Sequence, residues 1–143
     1  MRLLKRWNRA KEFWCDTPQF HLLLAKSCFH AMESGLKFNI AKIESSFLLD
    51  RDNPGLPDAV RQNIPPVLRY SCQNWVSHAS AVTLADSNKL ADALTKFLEL
   101  RVLFWIEAMN LLGSRGLCEQ MLRIAHQWVM NVSNVCIEGF TVE

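Results

Sequence analysis

Apolar residues recur at helical spacing along most of the chain, and the clearest run lies between Leu94 and Val132. A Gly-Ser-Arg-Gly break at residues 113–116 divides this run, which predicts a hairpin of two helices that pack on each other and on further helices. No alternation of Val, Ile and Thr is long enough for a sheet. The pattern predicts an all-α protein: a compact bundle or helical-hairpin stack of about five to seven helices.

The first long helix is predicted to begin at Asp16-Thr17-Pro18, a capping side chain followed by a proline, and to end near Gly35. Its apolar stripe runs through Leu22, Ala25, Phe29, Met32 and Leu36. Four further apolar residues widen this stripe: Phe20, Leu23, Leu24 and Cys28. A stripe of this width predicts a helix that is enclosed by its neighbours.

The residue pattern in the middle of the chain predicts shorter helical elements. A helical turn is expected near Ala41–Leu48, and a short helix within Leu56–Ile64 that Pro65-Pro66 ends. One of these prolines then opens a helix whose stripe is Leu68, Cys72, Trp75 and Ala79.

Asp86-Ser87 is expected to cap the next long helix, with a break around Glu99–Arg101 and a stop at Gly113. The last helix has a predicted stripe of Leu117, Met121, Ile124, Trp128, Val132 and Val135. We therefore expect a basic segment at residues 1–15, one helical domain at residues 16–136 and a tail at residues 137–143.

The composition is that of a globular domain, with 143 residues of which 50% are hydrophobic. The net charge of +2 is too small to indicate nucleic-acid binding. Five widely spaced cysteines without a C-x-x-C pair are typical of buried, reduced thiols. Since neither a signal peptide nor a membrane span is evident, we expect a soluble, cytoplasmic protein.

Candidate catalytic groups are few. Neither a phosphate-binding loop nor a dinucleotide fingerprint is present, so no cofactor is expected. Cys72 with His78, and Cys118 with His126, are imaginable nucleophile–base pairs, but their spacing favours core cysteines beside half-buried histidines. The four histidines are far apart in sequence, which argues against a metal site.

Glu99 and Glu107 are eight residues apart and are expected on one side of a helix. Two carboxylates alone are weak evidence for acid–base catalysis, so a solvated helix face is the default interpretation. No catalytic, cofactor-binding or metal-binding residue is therefore assigned, and the chain is not expected to be an enzyme. A small hydrolase built on a Cys/His pair is the minor alternative.

The N-terminal segment carries a basic cluster that includes Arg2, Lys5, Arg6 and Arg9. Such a cluster suits an anionic membrane surface or a phosphate backbone. A solvated helix end, or the remnant of a preceding domain, is the favoured interpretation, and nucleic acid is not an expected partner.

Three groups of residues resemble packing motifs of one known family. The first group is Cys28-Phe29-His30-Ala31-Met32, followed by Phe38-Asn39-Ile40 and by Glu44-Ser45-Ser46-Phe47. The second group is Tyr70, Cys72, Trp75 and His78. The third group is Phe97-Leu98-Glu99, then Leu103 to Glu107, then Leu111-Leu112-Gly113. In this order, across roughly residues 12–130, they resemble the helical segment that follows the nucleotide-binding module of fungal NACHT-type NOD-like receptors, which often carry WD40 repeats.

The resemblance implies a truncated form of such a receptor, without its own nucleotide site, that transmits a signal in non-self recognition. The expected role is a non-enzymatic linker or transducer in contact with neighbouring NTPase or repeat domains. The alternative is a free-standing helical adaptor that binds a partner protein or peptide, and the oligomeric state is left open. The expected core residues are Phe29, Met32, Trp75, Phe97, Phe104, Trp105 and Trp128.

Overall fold

A computed structural model of the chain describes residues 17–44, 47 and 49–138. Within these ranges the fold contains six α-helices and no strand, which confirms the all-α prediction. The helices are α1 (Thr17–Gly35), α2 (Leu56–Asn63), α3 (Pro66–Ser80), α4 (Asn88–Leu100), α5 (Val102–Leu111) and α6 (Cys118–Glu138). Single 3-10 turns occupy Asp50–Asp52, Leu84–Asp86 and Arg115–Leu117. The predicted N-terminal segment and the last five residues lie outside the described residues.

Helix α3 is the centre of the fold. It packs most extensively on α1, and α5 and α6 also lie against it, while α4 packs on α1. The two main helices are antiparallel, because Gly35 at the end of α1 meets Leu68 near the start of α3, and His21 meets His78 at the other end. The helices of the predicted hairpin, α5 and α6, thus pack mainly on α3 rather than on each other.

The core is built around four interlocked aromatic rings, Phe29 of α1, Trp75 of α3, Phe97 of α4 and Trp105 of α5. Neighbouring ring centroids are 5.0–6.0 Å apart, and the rings are tilted or edge-on to each other. Both tryptophan side chains are 0% exposed. Since each ring comes from a different helix, the cluster joins four helices directly.

Five of the seven predicted core residues are buried: Phe29, Met32, Trp75, Phe97 and Trp105. Phe104 and Trp128 are only partly buried and pack against the edge of this core. The Arg101 guanidinium carbon lies 6.0 Å from the centroid of the Phe104 ring, a distance at which a cation–π attraction operates.

Two glycines fit the helix ends that the sequence predicts. Gly35 closes α1, and a Cβ atom there would lie 2.8 Å from Leu68 Cδ2, so glycine lets α1 and α3 approach closely. Gly113 has φ +69°, in the left-handed region, and follows the end of α5. The Ser114 and Gly113 N–H groups donate to the carbonyls of Met109 (2.8 Å) and Asn110 (3.0 Å), which together form a Schellman motif.

The predicted break between α4 and α5 is confirmed at Arg101, whose φ of −127° is outside the helical range. The predicted cap at Asp86-Ser87 is wrong. Ser87 has helical backbone angles, and its hydroxyl donates to the Leu84 carbonyl (2.6 Å) rather than capping α4. The Asp86 carboxylate instead pairs with Lys89, because a 3-10 turn runs directly into the helix.

The helical turn expected near Ala41–Leu48 is also wrong for the described residues 41–44. Asn39 and Lys42 adopt left-handed φ angles of 48° and 55°, which interrupt any helix. The Asn39 side chain closes the turn by accepting from the Ile43 N–H (2.7 Å) and donating to the Ile43 carbonyl (3.0 Å). Asparagine tolerates this backbone region better than most residues.

Two predicted stripes need correction. Phe20 and Leu23 are exposed, so α1 buries one face and is not enclosed. Among the described side chains of α6, Cys118, Met121 and Ala125 are buried and Ile124 is exposed, as is Leu117 in the turn before the helix. Met121 and the partly buried Trp128 therefore confirm part of the predicted stripe, and the side chain of Val135 lies outside the described residues. The helix also continues through Glu138, two residues into the predicted tail.

Candidate functional site

The described cysteines are unsuited to nucleophilic catalysis. Cys28, Cys72 and Cys118 are free and buried. Burial raises the pKa of all three thiols, and that of Cys72 reaches about 12. A thiol is nucleophilic only as the thiolate, so these groups are inert near neutral pH. Cys15 and the side chain of Cys136 lie outside what the structure describes.

Neither sequence-predicted Cys/His pair forms a catalytic unit. His78 is engaged by Tyr70 and His21, and the buried Cys72 has no hydrogen bond to it among the described contacts. His126 is exposed on α6 and not half-buried as expected, and Cys118 is buried. The interpretation as core cysteines therefore fits the geometry better than the hydrolase alternative.

The two candidate carboxylates are not on one helix, which corrects the prediction. Glu99 lies on α4 and is exposed, whereas Glu107 lies on α5 beyond the break at Arg101. Glu107 Oε1 accepts a hydrogen bond from the Ile40 N–H (3.3 Å). Its carboxylate thus fastens α5 to the turn that follows α1.

A polar cluster that the sequence did not reveal lies at one end of the α1–α3 interface. His21 Nδ1 of α1 and His78 Nδ1 of α3 are 3.0 Å apart, and the Tyr70 hydroxyl is 2.7 Å from His78 Nε2. His78 is buried, and desolvation together with the His21 charge lowers its pKa below the ordinary histidine value. Fifty-seven residues separate the two histidines, so only the antiparallel docking of α1 and α3 brings them together.

The space between α1 and α4 is small, whereas an open surface cleft beside α2, α3 and α5 has a volume of about 400 Å³. The cavity between α1 and α4, lined by Phe29, Phe97 and their neighbours, measures about 50 Å³. Pockets for cofactors or drug-sized ligands are about 300–1,000 Å³. Within the described ranges, no three His, Cys, Asp or Glu residues are grouped as metal ligands.

The α5 outer face consists of the exposed apolar side chains of Leu103 and Ile106 on α5, together with Leu100 at the end of α4. These side chains are 64%, 73% and 36% exposed. Leu103 and Ile106 are three residues apart on α5 and therefore project from the same side of that helix. Adjacent exposed apolar side chains are a candidate surface for contact with another protein segment.

The basic cluster of Arg2, Lys5, Arg6 and Arg9 lies outside the described residues, and membrane contact through it stays a prediction. Among the helices that the structure does describe, none combines the length and apolar character needed to cross a bilayer. No model of a known protein family matches the chain, and no curated protein or solved structure matches it significantly. The NACHT-associated resemblance therefore stays a prediction from the motifs.

Proposed function

We propose that this chain is a non-enzymatic helical linker or transducer, of the kind that the NACHT-associated motifs imply. The observation that carries the proposal is the aromatic cluster of Phe29, Trp75, Phe97 and Trp105, which joins α1, α3, α4 and α5. Protein interiors are close-packed and transmit strain. A displacement applied to one of these helices is therefore passed to the others rather than absorbed.

The side-chain chemistry supports a mechanical role. The described thiols are buried and protonated, Glu99 and Glu107 are on separate helices, and the cavity between α1 and α4 is too small for a cofactor. In this proposal the neighbouring NTPase or repeat domains supply the chemistry and the recognition. The helical stack passes their rearrangement on without binding nucleotide, in the cytoplasm.

The α5 outer face is the surface that we assign to a neighbour. Leu100 and Leu103 are mostly exposed and Ile106 is 36% exposed, so their exposed apolar area is available for a contact. The same observation favours a second candidate, a free-standing adaptor that holds a partner helix. The two candidates differ in whether the partner belongs to the same polypeptide.

A pair of matched substitutions tests the assigned surface. Leu103→Asp places a charge on the α5 outer face, and Val67→Asp places one on α3, where Val67 is 63% exposed. Both positions lie in the first turn of a helix, where aspartate suits the helix dipole, so both variants should fold. Affinity capture from a cell extract should recover the same partner with wild type and V67D but not with L103D. Equal capture by L103D and V67D would reject this surface.

Parentage is tested separately, by the coding sequence that flanks the chain. A phosphate-binding loop upstream in the same reading frame supports the transducer, whereas a partner encoded by another gene supports the adaptor. Calorimetric titration with Mg-ATP should give no heat of binding by the chain. Saturable nucleotide binding would contradict the proposal.

A further inference from the structure

The histidine pair at the α1–α3 interface has an unusual arrangement of ring nitrogens. His21 and His78 face each other through their Nδ1 atoms at 3.0 Å, with ring centroids 5.3 Å apart. The other nitrogen of His78, Nε2, is held by the Tyr70 hydroxyl at 2.7 Å. Helices α1 and α3 form the largest interface in the fold, and this contact lies at the end where α1 begins and α3 ends.

The number of protons on the pair decides whether the contact holds. With both rings neutral, one Nδ1–H donates to the facing Nδ1 lone pair, whichever ring carries the hydrogen. One further proton is also accommodated, because the facing nitrogens then still share a single hydrogen. A second proton puts a hydrogen on both Nδ1 atoms and a positive charge on both rings, so attraction becomes repulsion.

The surroundings do little to neutralise that repulsion. Among the described ionisable groups of all packed elements, His21 is the one whose charge shifts the pKa of His78. Asp86, in the turn after α3, is engaged by Lys89 and Thr83, and the Lys89 hydrogen bond lowers its pKa. Asp86 therefore stays ionised near neutral pH and does not titrate together with the pair.

We propose that His21 and His78 form an acid-sensitive latch that holds the start of α1 on the end of α3 and releases it when both rings are protonated. Tyr70 is a positioning residue that fixes the His78 ring so that Nδ1 points at His21. Release frees the first turns of α1 while the aromatic cluster, nearer the middle of the interface, keeps the rest of α1 in place. The latch does not depend on the transducer proposal.

The direction of the pH effect follows from proton linkage. The pKa of His78 is lower with the latch closed than in a solvated state, so opening is accompanied by proton uptake. At pH values above the ordinary pKa range of histidine, opening therefore takes up no proton. As the pH falls below that range, proton uptake favours opening. For each proton taken up, the opening constant rises up to about tenfold per pH unit.

Hydrogen exchange of the amides of residues 22–25 tests the latch in the intact chain. After correction for intrinsic rates, wild type should show an opening constant that rises toward about tenfold per pH unit between pH 7 and 5. His21→Asn keeps a side-chain group that can hydrogen-bond Nδ1 but carries no charge, so the part of the slope due to the His21 charge should disappear while the part due to the burial of His78 remains. The matched control is His30→Asn, on the exposed side of the same helix, which should keep the wild-type slope.

Titration of wild type by NMR gives a second readout that needs no variant. The rings of His21 and His78 should titrate as a coupled pair. An H21N slope equal to that of wild type, or independent simple titration of His21 and His78, would overturn the latch.

Discussion

The two central tryptophans offer a matched test of how the core is stabilised. The Trp105 Nε1–H donates to the Cys72 carbonyl at 2.9 Å, in a fully buried position. The Trp75 Nε1–H, in the same cluster, is buried without a partner among the described residues. Substitution of either tryptophan by phenylalanine removes the same atoms from a side chain that is 0% exposed. The cavity term is therefore similar in the two variants.

The hydrogen-bond terms have opposite signs. Trp105→Phe loses a hydrogen bond with a net contribution of about 1 kcal/mol. Trp75→Phe removes an unpaired buried donor, whose desolvation costs about 1–3 kcal/mol. We expect the free energy of unfolding of W105F to be lower than that of W75F by about 2–4 kcal/mol.

Urea unfolding followed by far-ultraviolet circular dichroism measures this difference, provided that the m-value is the same in both variants. The difference between the two variants cancels the effect of the lost ring volume, which the stability of one variant alone would still contain. Equal stabilities would mean that the Trp75 N–H is hydrogen-bonded in solution, and a less stable W75F would refute the assignment of the two indoles.

Further predictions concern backbone, packing and thiol chemistry. Gly113→Ala should lower the free energy of unfolding by about 1 kcal/mol or more, because the φ angle of Gly113 is in the left-handed region. Gly116→Ala should change stability little, because the added Cβ would meet open space. Equal losses of stability in thermal unfolding would contradict this pair of predictions. Gly35→Ala should destabilise by about 1–3 kcal/mol through overpacking against Leu68, and a Leu68→Ala background should relieve this cost in a double-mutant cycle. Cys72 should react with a thiol reagent at pH 7.5 only after unfolding, and rapid labelling in the native state, mapped by mass spectrometry, would disprove its burial.

Local sequence patterns predict the elements whose ends depend on nearby residues. The break at Arg101 and the stops at Gly35 and Gly113 were correct because the phase of the apolar stripe or the backbone freedom of glycine decides them. The cap at Ser87 was wrong because a 3-10 turn runs into α4 and brings the serine hydroxyl to Leu84 instead of the helix N–H groups.

Tertiary docking decides the features that the sequence could not predict. The stripe predicted for α6 was right at Met121 and wrong at Ile124, because the docking of the helix buries the neighbouring Ala125 instead. The His21–His78 contact joins residues far apart in the chain, and no local motif marks it. The packing motif of Tyr70, Cys72, Trp75 and His78 contains two of the three residues of this cluster but does not indicate the contact with His21.

Native-state hydrogen exchange at pH 7.5 tests the central claim, that the aromatic cluster makes the stack move as one unit. The slowest amides of α1, α3, α4 and α5 should exchange with one common opening free energy, equal to that of global unfolding. A lower opening free energy confined to α4 or α5 would show that these helices open independently, and mechanical transmission through the cluster would then be contradicted.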